Sequence, residues 1–318
     1  MLKVGVIGVG FLGRHHARIY ASLPDVTLVG VCDTREQAGK EIAASYQTTF
    51  FQDYHELIDQ VDAVSIAVPT VDHCRITCEL LRAGKSVLVE KPIAVTLAEA
   101  DEMITTAQQN GCVLQVGHLE RFNPAVQAAR KIIKNPRFFE IHRMSVFTMR
   151  SLDIDVVTDL MIHDLDILTS FVNSPLSSVH AVGIPILSAK IDIANARLEF
   201  ANGCVANLTA SRISSEKVRK IRFFQPHDYV SIDYTEQRVG VWSLRPPNLA
   251  TPHPQIAEHF LDVVKDEPLR AQLAEFVRCV QTKDTPEVDG RTGRRALELG
   301  LKVVAEIQAH AARTGLTA

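Results

Sequence analysis

The chain has 318 residues, 46% of them hydrophobic and 22% charged, with a formal net charge of −3. That length suits two domains, each able to bury its own apolar interior. The balanced charge and the lack of a basic run exclude a nucleic-acid groove or an anionic membrane surface as the expected partner, and no apolar run approaches the ~18 residues of a membrane helix.

The first 33 residues carry the strongest local signal. Lys3-Val4-Gly5-Val6-Ile7 is short and β-branched enough for a buried parallel strand. It runs into Gly8-Val9-Gly10-Phe11-Leu12-Gly13, where Gly8 suits a positive φ, Gly10 lets backbone approach a pyrophosphate, and Gly13 lets the next helix sit close to the strand. A helix over Leu12 to Ser22 then turns its unpaired N–H groups towards phosphates. A second strand, Val26 to Cys32, ends at Asp33, about 20 residues beyond the last glycine, where a carboxylate accepts both ribose hydroxyls. The whole predicts a dinucleotide site. Asp33 favours NAD over NADP, because it repels a 2′-phosphate. Arg35 nearby keeps NADP as the alternative.

Up to about residue 120, strand candidates at Ala63 to Val68, Ser86 to Val89 and Val113 to Val116 alternate with helices near 34–45, 71–83 and 96–110, which predicts a doubly wound parallel sheet. Ligands of such sheets bind beyond the carboxyl ends of the strands. The residues there are Pro69 and Thr70, with His73 soon after, and Glu90-Lys91-Pro92, whose X-Pro bond is open to the cis form.

Past about residue 135, long alternating segments predict a second, mainly antiparallel sheet: Phe138 to Phe147, Ser178 to Leu187, Ala194 to Phe200, Val205 to Ser211, Val218 to Gln225 and Tyr229 to Asp233. Helices near 157–172, 256–264, 268–282 and 290–313 are available to cover one face. The proline-rich run from Arg245 to Pro254 reads as an irregular loop.

On the 157–172 helix, Asp159, His163, Asp166 and Ser170 form a polar stripe among apolar faces, costly to bury without partners, and so predicted to line a site. His163 suits proton exchange with a hydroxyl, oriented by Asp159 or Asp166. Between the domains, Arg121 offers a planar cation for phosphate or sugar hydroxyls, and Asn123 both a donor and an acceptor; a hinge role is the alternative for each. The six cysteines lack zinc or redox spacing and read as reduced, with no metal site expected.

Taken together, Gly8 to Gly13 with Asp33, Pro69-Thr70 with His73, Glu90-Lys91-Pro92, Arg121-Phe122-Asn123-Pro124, and Asp159 with His163 and Asp166 resemble the glucose–fructose oxidoreductase, inositol dehydrogenase and rhizopine-catabolism family, Gfo/Idh/MocA, over essentially the whole chain. The resemblance implies an α/β protein with an N-terminal Rossmann domain over residues 1–121. A substrate-binding C-terminal α+β domain with a large open sheet follows over 122–318, its sheet forming a homodimer or homotetramer interface, with packing of a C-terminal helix back on the first domain as an open alternative. It implies catalytic roles for Lys91, Asp159 and His163, a cofactor site of Gly8, Gly10, Phe11, Leu12, Gly13, Asp33, Pro69, Thr70, His73, Glu90 and Lys91, and a substrate side including Arg121, Asn123 and Asp166.

Many members carry glycines around the aspartate, where this chain has Val156-Val157-Thr158 and Met161; the bulkier residues are expected to narrow the pocket against free monosaccharides. The Asp-Leu-Met-Ile-His-Asp-Leu-Asp variant is similar to the branch that oxidises UDP-N-acetylhexosamines at the 3-hydroxyl. Inositol or free-sugar oxidation, with or without cofactor recycling, is the alternative within the family, and a non-catalytic dinucleotide-binding regulator is the alternative outside it. An N-terminus that enters a strand by residue 3, with no export-signal pattern, predicts a cytoplasmic location.

Overall fold

A computed structural model describes residues 1–148, 154–247 and 253–315 of the chain. Two compact units form, one from Met1–Leu119 with Glu267–Leu297 and the other from Glu120–Asp266 with Glu298–Ala318. The chain thus leaves the first unit after Leu119, and the segment Glu267–Leu297 returns to it.

In the first unit, β1 (Leu2–Ile7), α1 (Gly13–Tyr20), β2 (Val26–Cys32), α2 (Glu36–Ser45), β3 (Thr49–Phe51), α3 (His55–Ile58), β4 (Ala63–Ile66), α4 (His73–Arg82), β5 (Ser86–Glu90), α5 (Leu97–Gln109) and β6 (Leu114–Gly117) follow one another. Among the described residues the six strands form one parallel sheet in the order β3-β2-β1-β4-β5-β6. Strands β4 and β5 are buried along their whole length, as central parallel strands with helices on both faces must be. Helix α5 starts at a reciprocal cap: the Thr96 hydroxyl accepts from the Glu99 N–H at 3.2 Å, and the Glu99 carboxylate accepts from the Thr96 N–H at 2.9 Å.

The second unit contains α6 (Pro124–Arg130), β7 (Phe138–Met144), α7 (Ile162–Phe171), β8 (Leu176–Ile184), β9 (Ile193–Phe200), β10 (Val205–Ser211), β11 (Val218–Gln225), β12 (Asp228–Asp233), β13 (Arg238–Arg245) and β14 (Gln255–Phe260). The strands form a single sheet ordered β14-β13-β12-β11-β7-β10-β9-β8, antiparallel except for β7 against β10. Strict alternation puts Phe139, Ile141, Leu208, Ile221, Phe223 and Ile232 on one face, where they share a core with Leu165 and Leu168 of α7. The other face carries an aromatic ladder, with Phe224 stacked on Tyr229 at 5.0 Å between centroids and Tyr229 on Trp242 at 4.8 Å.

Helix α8 (Pro268–Thr282) belongs to the first unit and α9 (Gly290–Thr314) is divided between the two. Leu273 and Phe276 of α8 join Ile19 and Tyr20 of α1 in the first core. Leu299, Val303 and Ile307 of α9 join the second.

Two elements depart from the sequence reading. The segment expected to be helical near 256–264 is instead the edge strand β14, and β13 is a strand the periodicity did not single out. The predicted loop from Arg245 to Pro254 lies partly outside the described residues, since positions 248–252 are not among them.

Candidate active site

Four neighbouring parallel strands deliver the predicted cofactor residues to one edge of the first sheet. Gly8 leaves β1 with a φ of +84°, a conformation that L side chains rarely adopt. Gly13 opens α1 so close beneath that turn that a Cβ there would lie 1.7 Å from the Gly8 carbonyl oxygen. Gly10 differs, because a Cβ there would meet only the Arg35 Nη2 at 3.7 Å, so the turn is open on the side a phosphate would approach. Leu12, at the N-cap of α1, offers no side-chain acceptor to the helix's first N–H groups, and no acidic residue stands in the first turn. That helix end therefore has no side-chain cap, and its Arg14 N–H donates to the Gly10 carbonyl at 3.3 Å. Phe11 beside it is exposed.

Asp33 follows β2 and is buried. One carboxylate oxygen accepts from the Val9 N–H at 2.9 Å, the other from the Arg35 N–H at 2.9 Å and Nε at 3.2 Å. Burial alone would raise its pKa, but the hydrogen bonds from Arg35 and Val9 prevail and hold the carboxyl below its usual value. Beyond β4, Pro69 and Thr70 lead through a single 3₁₀ turn into α4. His73, at the start of α4, is buried, with Nδ1 2.9 Å from the Pro92 carbonyl and Nε2 3.0 Å from the Val68 carbonyl, so it ties the β4 loop to the β5 loop. Burial pushes its pKa down despite those carbonyls.

Glu90 closes β5 and is buried. Its carboxylate accepts from His16 Nε2 at 3.1 Å and from the Lys91 N–H at 3.2 Å. Burial works against the charge, but the His16 contact outweighs it and the pKa falls below the usual carboxylate value. The same carboxylate would lie 2.7 Å from a Cβ at Gly117, its partner across β5 and β6, so Gly117 makes room for it. Glu90 therefore braces the strand end from beneath, while Lys91 is half-buried and follows it through a cis Lys91-Pro92 bond.

In the second unit the polar stripe divides. Asp159 lies in a widened π turn over Val157–Met161 that runs into α7, and it and His163 are half-buried. Such turns recur where side chains must be re-aimed. Asp166 is fully buried, receiving Arg121 Nε at 2.7 Å and Nη2 at 3.0 Å. Asn123 is buried too, capping α6 by accepting from the Ala125 N–H at 3.1 Å and donating to the Tyr234 carbonyl at 3.1 Å. Arg121, Asn123 and Asp166 thus already have protein partners, and the Ser170 hydroxyl turns back on the Ile167 carbonyl at 2.6 Å. Of the residues expected to narrow the pocket, Val156, Val157 and Met161 are fully buried core residues and Thr158 is half-buried.

A buried cation that the sequence reading passed over completes this unit. Arg143 donates to Asp164 from Nε at 2.8 Å and Nη2 at 2.9 Å, and to Glu120 from Nη1 at 3.1 Å. Burial disfavours its charge, but the Asp164 and Glu120 carboxylates win and hold the guanidinium protonated. The signal was available: alternation along β7 puts Arg143 on the face of Phe139 and Ile141. On α4, Cys74 and Cys78 lie with Glu102 in the one group of metal-ligating side chains found among the described residues. Burial pushes the Cys74 thiol up to about 12.

Residues 2–118 match the family model for an oxidoreductase family with an NAD-binding Rossmann fold, and residues 126–225 match the GFO/IDH/MocA C-terminal domain. The chain is 36% identical to a UDP-N-acetylglucosamine 3-dehydrogenase of Acidithiobacillus ferrooxidans, over 97% of this chain and 98% of that protein. A solved structure of that enzyme superposes with a TM-score of 0.90 over the same shares of the two chains. A myo-inositol 2-dehydrogenase of Thermotoga maritima is 25% identical over 94% of each chain.

Proposed function

Because the chain belongs to the Gfo/Idh/MocA family of NAD-dependent oxidoreductases, we propose that it oxidises the 3-hydroxyl of a UDP-N-acetylhexosamine. The observation that carries this substrate class is the end-to-end likeness to the Acidithiobacillus ferrooxidans enzyme in both sequence and fold.

The first unit fits the cofactor. The open side of the Gly10 turn and the uncapped start of α1 suit a pyrophosphate, and the Asp33 carboxylate suits the ribose hydroxyls. When bound, NAD supplies the hydride acceptor. His163 takes the proton of the substrate hydroxyl as general base, with Asp159 holding the imidazole in orientation. Lys91 donates a hydrogen bond to the same oxygen and stabilises the negative charge that grows there. Glu90 sets the Lys91 backbone through the 3.2 Å contact to its N–H, and His73 fixes the adjoining loop. Arg121, Asn123 and Asp166, each buried and already paired within the second unit, hold its turns and α7 in place.

The aromatic ladder of the second sheet supports self-association through that face, because a stack of this size is otherwise costly to leave in water. No helix among the described residues is long and apolar enough to cross a membrane.

The test is NADH formation followed by absorbance with UDP-N-acetylglucosamine, UDP-N-acetylgalactosamine, N-acetylglucosamine, glucose and myo-inositol, each with NAD and with NADP. Turnover confined to the UDP-linked amino sugars with NAD is the expected result. Turnover of inositol or free sugars in their place overturns the substrate assignment.

A further inference from the structure

The covered face of the second sheet ends in a row of polar side chains. Register places Arg143 of β7 directly opposite Arg219 of β11. The Tyr234 N–H donates to the Arg219 carbonyl at 3.1 Å, which makes Tyr234 the next member across. Arg219 has the parity of Ile221 and Phe223, so it stands on the same face as the core.

The two guanidiniums differ in how they are neutralised. Arg143 has Asp164 and Glu120 within 3.1 Å, and its guanidinium lies 5.2 Å over the Tyr234 ring. Arg219, among the described residues, makes no ion pair, and its Nε is buried without an acceptor. The Tyr234 hydroxyl is likewise buried without a partner. Burial first, and the neighbouring Arg143 cation second, depress the Arg219 pKa, and the more distant carboxylates of Glu120, Asp164 and Asp159 only partly offset them. A buried donor left without an acceptor is destabilising, and its retention calls for a reason. Here the donor belongs to a half-buried cation, and Asp159, the residue assigned above to orienting His163, is the weakest of the three carboxylates that act on it.

We propose that Arg219 anchors the substrate by taking the diphosphate of the nucleotide sugar on its guanidinium. This rests on the reading of the protein as a nucleotide-sugar oxidoreductase. A guanidinium presents a planar fork that matches two phosphate oxygens at once, and it keeps its charge when partly desolvated. A neutral sugar or an inositol has no group that would neutralise it. The anchor would therefore favour diphosphate-linked sugars over neutral ones.

Two measurements test it on the full-length protein: steady-state kinetics with UDP-N-acetylglucosamine at saturating NAD, and calorimetric titration of UDP into the NADH-loaded protein. Arg219→Gln should raise KM and weaken UDP binding by on the order of ten- to a hundredfold, with kcat changed only a few-fold, as the loss of a charge-assisted contact requires. Arg219→Lys, which keeps the charge but not the fork, should recover part of the loss and guards against a merely unfolded glutamine variant. Unchanged KM and UDP affinity in both variants, with a wild-type protein that oxidises the UDP sugar, overturns the anchor alone. A wild-type protein that neither oxidises UDP-N-acetylglucosamine nor binds UDP overturns the substrate reading beneath it.

Discussion

Arg35 lies across Asp33, its backbone N–H and Nε both reaching one carboxylate oxygen, at 2.9 and 3.2 Å. The acidic residue that would hold the ribose hydroxyls of NAD is therefore restrained by the cation that would otherwise be available to a 2′-phosphate. Asp33→Ala removes the acceptor and frees that cation together. Its kcat/KM with NAD should fall by about ten- to a hundredfold, as for a lost hydrogen bond to a charged group, while that with NADP rises. Parallel kinetics with the two cofactors check this, and an unchanged ratio between them would remove Asp33 from cofactor selection.

Lys91→Ala should bind NAD nearly as well as the parent protein, because Glu90, His16 and the β1 turn stay in place. Turnover should drop by on the order of a hundredfold or more, and His163→Asn should do the same. Calorimetry for NAD and initial rates for the sugar separate the two effects. Comparable turnover in either variant would exclude that residue from the chemistry.

The Arg121–Asp166 pair is fully buried and bidentate. Asp166→Ala strands a cation inside the second unit and should cost about 3–5 kcal/mol, whereas Arg121→Met combined with Asp166→Leu should stay within roughly 2 kcal/mol of the parent. Urea unfolding midpoints measure both. If the single and double variants are equally unstable, the pair acts through more than charge compensation.

Asp192 is buried, and its carboxylate accepts from the N–H groups of Ile186, Leu187 and Ser188 at 2.7, 2.6 and 2.9 Å. Burial would raise its pKa, but these bonds and the Ser188 hydroxyl pull it down to about 2. A folded pKa below the unfolded value of about 3.9 stabilises the protein above that value, and the contribution disappears as pH falls towards 2. The stability gap between the parent and Asp192→Asn should therefore be full at neutral pH and shrink between about pH 4 and pH 2. Thermal melts across that range report it, and a gap independent of pH would refute the assignment.

Trp242 stands in the aromatic ladder between Tyr229 and Phe260. If that face is a subunit interface, Trp242→Glu buries an unpaired charge there and should lower the mass seen by sedimentation velocity to that of one chain. A parent protein that already sediments as one chain contradicts the assignment directly.

The first unit was legible because its signals are local. Periodicity switches between strand and helix every ten or so residues, and the glycine turn with its acidic partner falls within the first 33 positions. Strand β14 was misread because Ile256 and Phe260 are four apart, as on a helix face, although both are exposed on an edge strand paired only with β13. The polar cluster of the second unit was harder to see. Arg121 finds Asp166, and Arg143 finds Asp164 and Glu120, across turns and a strand pairing that no spacing rule records. Hence Asp166, read as facing a site, is buried, whereas its neighbours Asp159 and His163 are not.

Helix α8 places Leu269, Leu273, Phe276 and Val280 in the same core as Ala17, Ile19 and Tyr20 of the opening glycine-turn helix. The backbone carbonyl of Gln272 also takes the Gln115 amide at 3.2 Å. The dinucleotide half is thus sealed by a stretch synthesised more than a hundred residues after its last strand. During translation that half emerges with an apolar flank still bare, and it can reach its final form only once the residues of α8 have also left the ribosome. A fragment ending at the predicted domain boundary would keep the nucleotide fingerprint but lack its lid, and should be recovered as aggregate.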